Sequence, residues 1–196
     1  MTVGLLLAPG AGADRDQPSL VAVDRAAGAL GLVVVRMDFP YRRAGRRAPD
    51  RAPVLIEAVR SEAASMASRC DRLVLGGRSM GGRMCSMAVA EGLIPEAVGL
   101  VLISYPLHPP GRPEKLRTEH FPEIRVPCLF VSGTRDAFGS PAELESATSR
   151  IPGSVSHRWV EGKDHALRGA DQAVAGHVGE WLGALGPSRP AQPAAE

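Results

Sequence analysis

Of the 23 basic residues in this 196-residue chain, only Lys115 and Lys163 are lysine. Arginine supplies the rest, a skew that reads as coding bias more than as chemistry. Strong charge of either sign is missing too: a formal net charge of +2 excludes a nucleic-acid binder that works by bulk electrostatics. Cysteine is scarce. Cys70, Cys85 and Cys128 are odd in number, far apart and set in apolar or helical surroundings, which excludes both a disulfide framework and a cysteine metal site. A reducing compartment follows, and the cytoplasm is the expected location. Long hydrophobic runs are absent as well. The first apolar run, residues 3–8, is too short to span a bilayer or to act as a signal core, and no basic segment precedes it, so a membrane is not an expected partner.

What is present is the balance of a globular protein, with 44% apolar and 22% charged residues and no internal repeat. The length fits one domain, residues 1–186, followed by a Pro/Ala-rich stretch, 187–196, expected to be disordered. Short apolar runs recur at 3–8, 32–35, 73–75, 98–103, 128–131 and 155–160, each closed by turn residues. Five of the six are continuous rather than alternating, which predicts parallel strands buried on both faces. The sixth alternates Val155, His157 and Trp159 with Ser154, Ser156 and Arg158, as an edge strand does. Helix-length segments at 18–30, 52–68, 80–91, 141–150 and 169–185 lie between and after these runs. The expected fold is a doubly wound α/β domain, a mostly parallel sheet of about six strands with helices on both faces and right-handed crossovers. Residues 104–127 carry six prolines and little periodicity, too short a stretch for a sizeable cap, so an open or shallow site is expected.

The stretch Gly77-Arg78-Ser79-Met80-Gly81 stands where a strand gives way to a helix. A sharp strand-to-helix turn lifts its central residue above the sheet, and glycines are needed on either side because a Cβ there would collide with neighbouring elements. A serine in that position is a candidate nucleophile. The Met80 N–H and the positive end of the helix dipole then face any oxyanion that forms. Such a serine needs a base, and the base needs an orienting acid, at later strand ends. Asp136 follows the run 128–131 after a glycine turn, and His165 follows the run 155–160 before the final helix. Taken singly, the three have plainer roles as a turn serine, a turn carboxylate and a surface histidine. Together they keep the chain order Ser79, Asp136, His165. Asp164 is the rival acid, but adjacency to His165 makes its side chain diverge from the imidazole. His108, His120, His157 and His177 are expected to be structural or solvent-facing, and Met80, Met84 and Met87 to pack one helix face into the core.

The loop Ala8-Pro9-Gly10-Ala11-Gly12-Ala13 after the first strand is the expected source of a second oxyanion donor, with the Ala11 N–H in that role. A phosphate-cradling turn is the alternative, but a third glycine at the required spacing and a P-loop lysine are both missing. A basic loop, Tyr41-Arg42-Arg43-Ala44-Gly45-Arg46-Arg47, follows the second strand, where ligands of open α/β sheets collect. Arg42, Arg43, Arg46 and Arg47 are therefore either binders of an anionic substrate or a solvated surface.

The run Gly76-Gly77-Arg78-Ser79-Met80-Gly81-Gly82-Arg83, with Asp38-Phe39-Pro40-Tyr41, Gly133-Thr134-Arg135-Asp136-Ala137-Phe138-Gly139 and Asp164-His165, resembles the small capless α/β hydrolases of the KANL/Tex type, which are distantly similar to dienelactone hydrolases. The resemblance spans nearly the whole chain. It implies the α/β-hydrolase fold and the same Ser-Asp-His triad; members are mostly assigned as hydrolases by similarity, and some eukaryotic relatives serve as scaffolds. Pro9 stands where many hydrolases carry a histidine, a departure that leaves the backbone donors intact. The expected function is a serine hydrolase that cleaves a small carboxylic ester or thioester through an acyl-enzyme, with no metal or organic cofactor. The alternatives are a hydrolase-like binding or scaffold module and a small serine peptidase.

Overall fold

The computed structural model describes residues 2–185. Six strands form one sheet: β1 (Val3–Ala8), β2 (Val33–Arg36), β3 (Arg72–Arg78), β4 (Ala97–Ile103), β5 (Cys128–Gly133) and β6 (Val155–Val160). Their order is β2-β1-β3-β4-β5-β6, with every adjacent pair parallel. Six helices accompany them: α1 (Pro18–Ala29), the single turn α2 (Pro40–Arg43), α3 (Ala52–Ala67), α4 (Met80–Ala90), α5 (Pro141–Thr148) and α6 (Asp171–Leu185).

Alternation along each strand divides the core into two layers. Leu5, Leu7, Val74, Val101, Ile103, Leu129 and Val131 pack with Leu20, Val23, Val174, Val178 and Trp181 of α1 and α6. Leu6, Leu73, Leu75, Leu100, Leu102 and Phe130 face the opposite layer, where α3, α4 and α5 lie with Val59, Met66, Met84 and Leu144. Because both faces are covered, successive residues through the middle of the central strands are apolar, and each fully buried Leu or Val contributes about 1.5–3 kcal/mol.

The expected doubly wound sheet is present, with one difference at its far side. Residues 32–35 read as a strand buried on both faces, yet β2 is an edge strand and only partly buried. Val33 and Val35 pack on one layer and Leu32 and Val34 on the other. A continuous apolar run thus reports covered faces, not a neighbour on each side. The alternating β6 forms the other edge. Residues 104–127 form no cap domain: Tyr105, Leu107, Phe121 and Ile124 anchor the segment in the α4 layer, and a 3₁₀ turn at Phe121–Glu123 is its only regular element. Met84 is core, with Met80 and Met87 packed against it. The expected disordered stretch, 187–196, lies outside the described residues. Among the described residues no helix is long and apolar enough to cross a membrane.

After β1 the chain winds to β2 on one side, then returns to place β3 on the other side of β1. The carboxyl ends of β1 and β3, paired in register at Ala8 and Gly77, therefore diverge at a topological switch point, the place where open α/β sheets form a crevice.

Candidate active site

Ser79 occupies that crevice. Its backbone has φ 48° and ψ −115°, a conformation that non-glycine residues avoid, and its N–H donates to Ile103 O at 2.8 Å. The turn is tight enough to exclude side chains on both sides. A Cβ on Gly77 would sit 2.1 Å from Ala8 O, and one on Gly81 2.2 Å from the same oxygen. These two glycines let α4 start directly above β1.

His165 and Asp136 meet Ser79 there. The Ser79 hydroxyl lies 2.9 Å from His165 Nε2. On the far side of the ring, Nδ1 is 2.8 Å from Asp136 Oδ2 and 3.0 Å from Oδ1. An imidazole whose Nδ1–H donates to a carboxylate presents Nε2 as an acceptor, so Ser79 O–H donates to it. The Asp136 side chain is 1% exposed and that of His165 22%, which places the acid inside and the base at the solvent boundary.

Contacts from several elements hold this line of groups. Arg135 N–H donates to Lys163 O at 2.9 Å and Gly162 N–H to Thr134 Oγ1 at 2.8 Å, lacing the loop after β5 to the loop after β6. Arg78 Nη2 donates to His165 O at 2.6 Å. Burial pulls the Arg78 pKa down, against the opposing fields of Asp171, Asp136 and Asp164. Phe138 stacks on the imidazole. Asp164 is turned away: its Oδ1 accepts the Ala166 N–H at 3.0 Å and closes a local turn.

The β1 loop is pinned on either side of Ala11. Gly10 N–H donates to Gln17 Oε1 at 3.1 Å, and Gly12 N–H donates to Tyr41 Oη at 3.1 Å. Asp38 accepts the Arg15 N–H at 2.8 Å further along the same loop. The Ala11 N–H between these fixed points and the first-turn Met80 N–H both belong to residues that border the cavity over Ser79, and among the described residues neither has an acceptor. Asp38-Phe39-Pro40-Tyr41, legible as a motif without an assigned task, acts here as the support of that loop.

The cavity holds about 560 Å³, and its walls include Ala11, Ser79, Met80, Phe138 and His165. Arg42, Arg43, Arg46 and Arg47 are not among its lining residues, a placement that fits the solvated-surface reading of the basic loop, the second of its two expected roles. Arg42 reaches Asp14 at 3.4 Å, Arg43 reaches Glu62 at 3.3 Å, and Arg46 reaches Asp50 at 2.8 Å, while Arg47 is exposed. Local carboxylates draw the loop's charge onto α3 and the outer surface. The arginines that do line the cavity are Arg78, Arg83 and Arg117. Arg83 is legible in hindsight, four residues after Ser79 and so one turn along the same helix face. Arg117 lies in the aperiodic proline-rich segment, where no pattern marks it.

The other histidines stand apart from the cavity. His120 Nε2 is 2.8 Å from Ser86 Oγ, His157 Nε2 is 3.0 Å from Thr148 Oγ1, and His108 Nδ1 donates to Pro109 O at 2.9 Å. The cysteines are all free and buried, and burial pushes the thiols of Cys85 and Cys128 up to about 12.

A family model described as an alpha/beta hydrolase domain matches residues 1–180, and the chain belongs to that family. Solved structures share the fold across most of their length. A lidless serine α/β hydrolase from Xanthomonas campestris superposes with a TM-score of 0.78 at 19% identity, covering 96% of this chain and 84% of that one. Est1E from Butyrivibrio proteoclasticus, determined with ferulic acid bound, gives 0.76 at 14% identity over 94% and 89% of the two chains. A dienelactone hydrolase from Anabaena variabilis gives 0.73 at 20% identity over 93% and 87%. These likenesses extend to the fold alone.

Proposed function

We propose that this α/β hydrolase is a serine hydrolase that cleaves a small carboxylic ester or thioester through an acyl-enzyme. The observation that carries the reading is the unbroken line from the Ser79 hydroxyl through His165 to Asp136, at 2.9 Å and 2.8 Å, on a strained turn above the sheet. Ser79 Oγ attacks the substrate carbonyl carbon while its proton passes to His165 Nε2. Asp136 holds the imidazole in the accepting tautomer and stabilises the imidazolium. The carbonyl π electrons move onto oxygen, and that oxyanion receives the Ala11 and Met80 N–H groups and the positive end of α4. When the tetrahedral adduct collapses, the bond to the leaving alkoxide or thiolate breaks and His165 returns the proton to it. Water then enters by the same route, giving up a proton to His165 as it attacks the acyl carbon and regenerating Ser79.

The free, buried Cys70, Cys85 and Cys128 agree with a reducing cytoplasmic setting. A fluorophosphonate probe tests the mechanism: the expected result is one covalent adduct per chain, mapped to Ser79 by peptide mass spectrometry and absent from Ser79→Ala. An unlabelled, folded protein would favour the binding-module reading instead.

A further inference from the structure

Arg83 and Arg117 enter the cavity from independent elements. Arg83 comes from α4, where its N–H donates to Ser79 O at 3.1 Å, one turn beyond the serine. Arg117 comes from the segment after β4, held by its N–H to Leu107 O at 2.8 Å and by Tyr105 Oη, which donates to Arg117 O at 2.7 Å. Behind the cavity wall, Tyr105 and Ser86 hold the two arginine backbones and His120 braces Ser86. Ser86 Oγ donates to Arg83 O at 2.8 Å and lies 2.8 Å from His120 Nε2. The backbones of both arginines are therefore fixed.

Their charges are not answered. Among the described residues neither arginine makes an ion pair, and no carboxylate lines the cavity. Among the described residues Arg83 Nε is buried without a hydrogen-bond partner, and the one side-chain hydrogen bond of Arg117 is a long 3.5 Å approach of Nη1 to Pro106 O. Arg78, the third arginine of the wall, is already committed to His165 O. Burial first, and then the charge of Arg83, pulls the Arg117 pKa down, so two uncompensated cations share one wall. An unpaired, partly desolvated guanidinium is costly, and a ligand oxyanion removes that cost.

We propose that Arg83 and Arg117 form the anion subsite of this cavity and select an ester or thioester that carries a carboxylate on the part of the molecule lying over α4. A carboxylate is the smallest anion whose two oxygens match a guanidinium fork. The two free backbone N–H groups face the reacting carbonyl, which leaves only two planar guanidinium forks for the anion, and a fork matches a planar pair of oxygens. The proposal rests on the serine-hydrolase reading for the reaction, but the subsite binds its anion whether or not turnover follows.

Two readouts separate these claims. Steady-state kinetics compare mono-4-nitrophenyl succinate with neutral 4-nitrophenyl butyrate in the parent, in Arg83→Gln, in Arg117→Gln and in the double variant. Loss of one charge-assisted pair should raise KM for the anionic ester on the order of 10- to 100-fold, with kcat and the neutral ester changed less than about threefold. The triple change of Arg43, Arg46 and Arg47 to Gln should leave the ratio of the two esters as it is. Added salt should raise KM for the succinate ester alone in the unaltered protein, a test that needs no variant to fold. Calorimetry with N-phenylsuccinamic acid, an uncleaved amide analogue, measures the subsite without turnover. Arginine-dependent binding of that acid in a protein that cleaves neither ester would sink the serine mechanism and keep the subsite. Equal affinity for the acid in parent and double variant, or equal changes in both esters, would overturn the subsite.

Discussion

Phe138 lies nearly face to face with His165, ring centroids 4.0 Å apart and planes 28° apart, while its own N–H donates to Asp136 Oδ1 at 2.8 Å. One residue therefore fixes both partners of the imidazole, the acid through its backbone and the ring through its side chain. Phe138→Ala keeps the N–H and removes the stack. Turnover of a 4-nitrophenyl ester should fall on the order of 10-fold, because small misplacements of a catalytic group are costly. Phe138→Leu should recover part of the loss, and unchanged turnover in the Ala variant would remove Phe138 from the positioning of His165.

Asp136 and Asp164 differ in what they face. Asp136→Asn should lower kcat by roughly 10⁴, since the amide favours the wrong imidazole tautomer. Asp164→Asn loses a turn contact to Ala166 and should cost less than about 10-fold. Parallel kinetics of the two variants check the assignment, and equal losses would contradict it.

The Tyr41 hydroxyl holds the β1 loop through Gly12 N–H. Tyr41→Phe removes that one contact from a buried ring that otherwise stays packed on Phe39. We expect kcat to drop about 3- to 10-fold with KM little changed, a fraction of the 10²- to 10³-fold expected for losing an oxyanion donor outright. A rise in KM with kcat intact would place Tyr41 in substrate binding instead.

His120 sets a dependence of stability on pH. Burial, and after it the charge of Arg83, pushes its pKa down to about 4, against about 6.5 in the unfolded chain. Between those values the unfolded chain holds a proton that the folded protein does not, so stability rises with pH across the window and is lost as pH falls from 6.5 toward 4. His120→Gln keeps a partner for Ser86 and removes the titration. Its Tm should fall less than the parent's between pH 7 and pH 4.5, with a residual slope from His157, which burial also depresses. Identical slopes in the two proteins would contradict the assignment.

Most of the sheet is legible in the apolar runs, because helices cover both faces and nearly every residue of the central strands meets a core. The same fact hides the edges: β2 reads like a central strand since its sides, not its rim, determine its composition. Strand ends are less legible than strand centres. β3 continues through Gly76, Gly77 and Arg78, residues that look like a turn yet keep parallel pairing with β1 and β4. Ser79, Asp136 and His165 are legible because each follows a recognisable strand, and position at a strand end is what brings them together. The arginines are not, since a sequence shows a cluster of charge but not the carboxylates that absorb it. Asp14, Glu62 and Asp50 pair three of the four arginines of the obvious cluster, whereas Arg117, alone in an aperiodic segment, lines the cavity.

The most direct measurement is hydrolysis of 4-nitrophenyl butyrate by the unaltered protein and by Ser79→Ala, with circular dichroism to show that both are folded. Loss of the attacking group from a triad costs about 10⁶ in turnover, so the variant should fall to the background rate. Butyrate-ester hydrolysis that persists in folded Ser79→Ala would contradict a mechanism built on that serine.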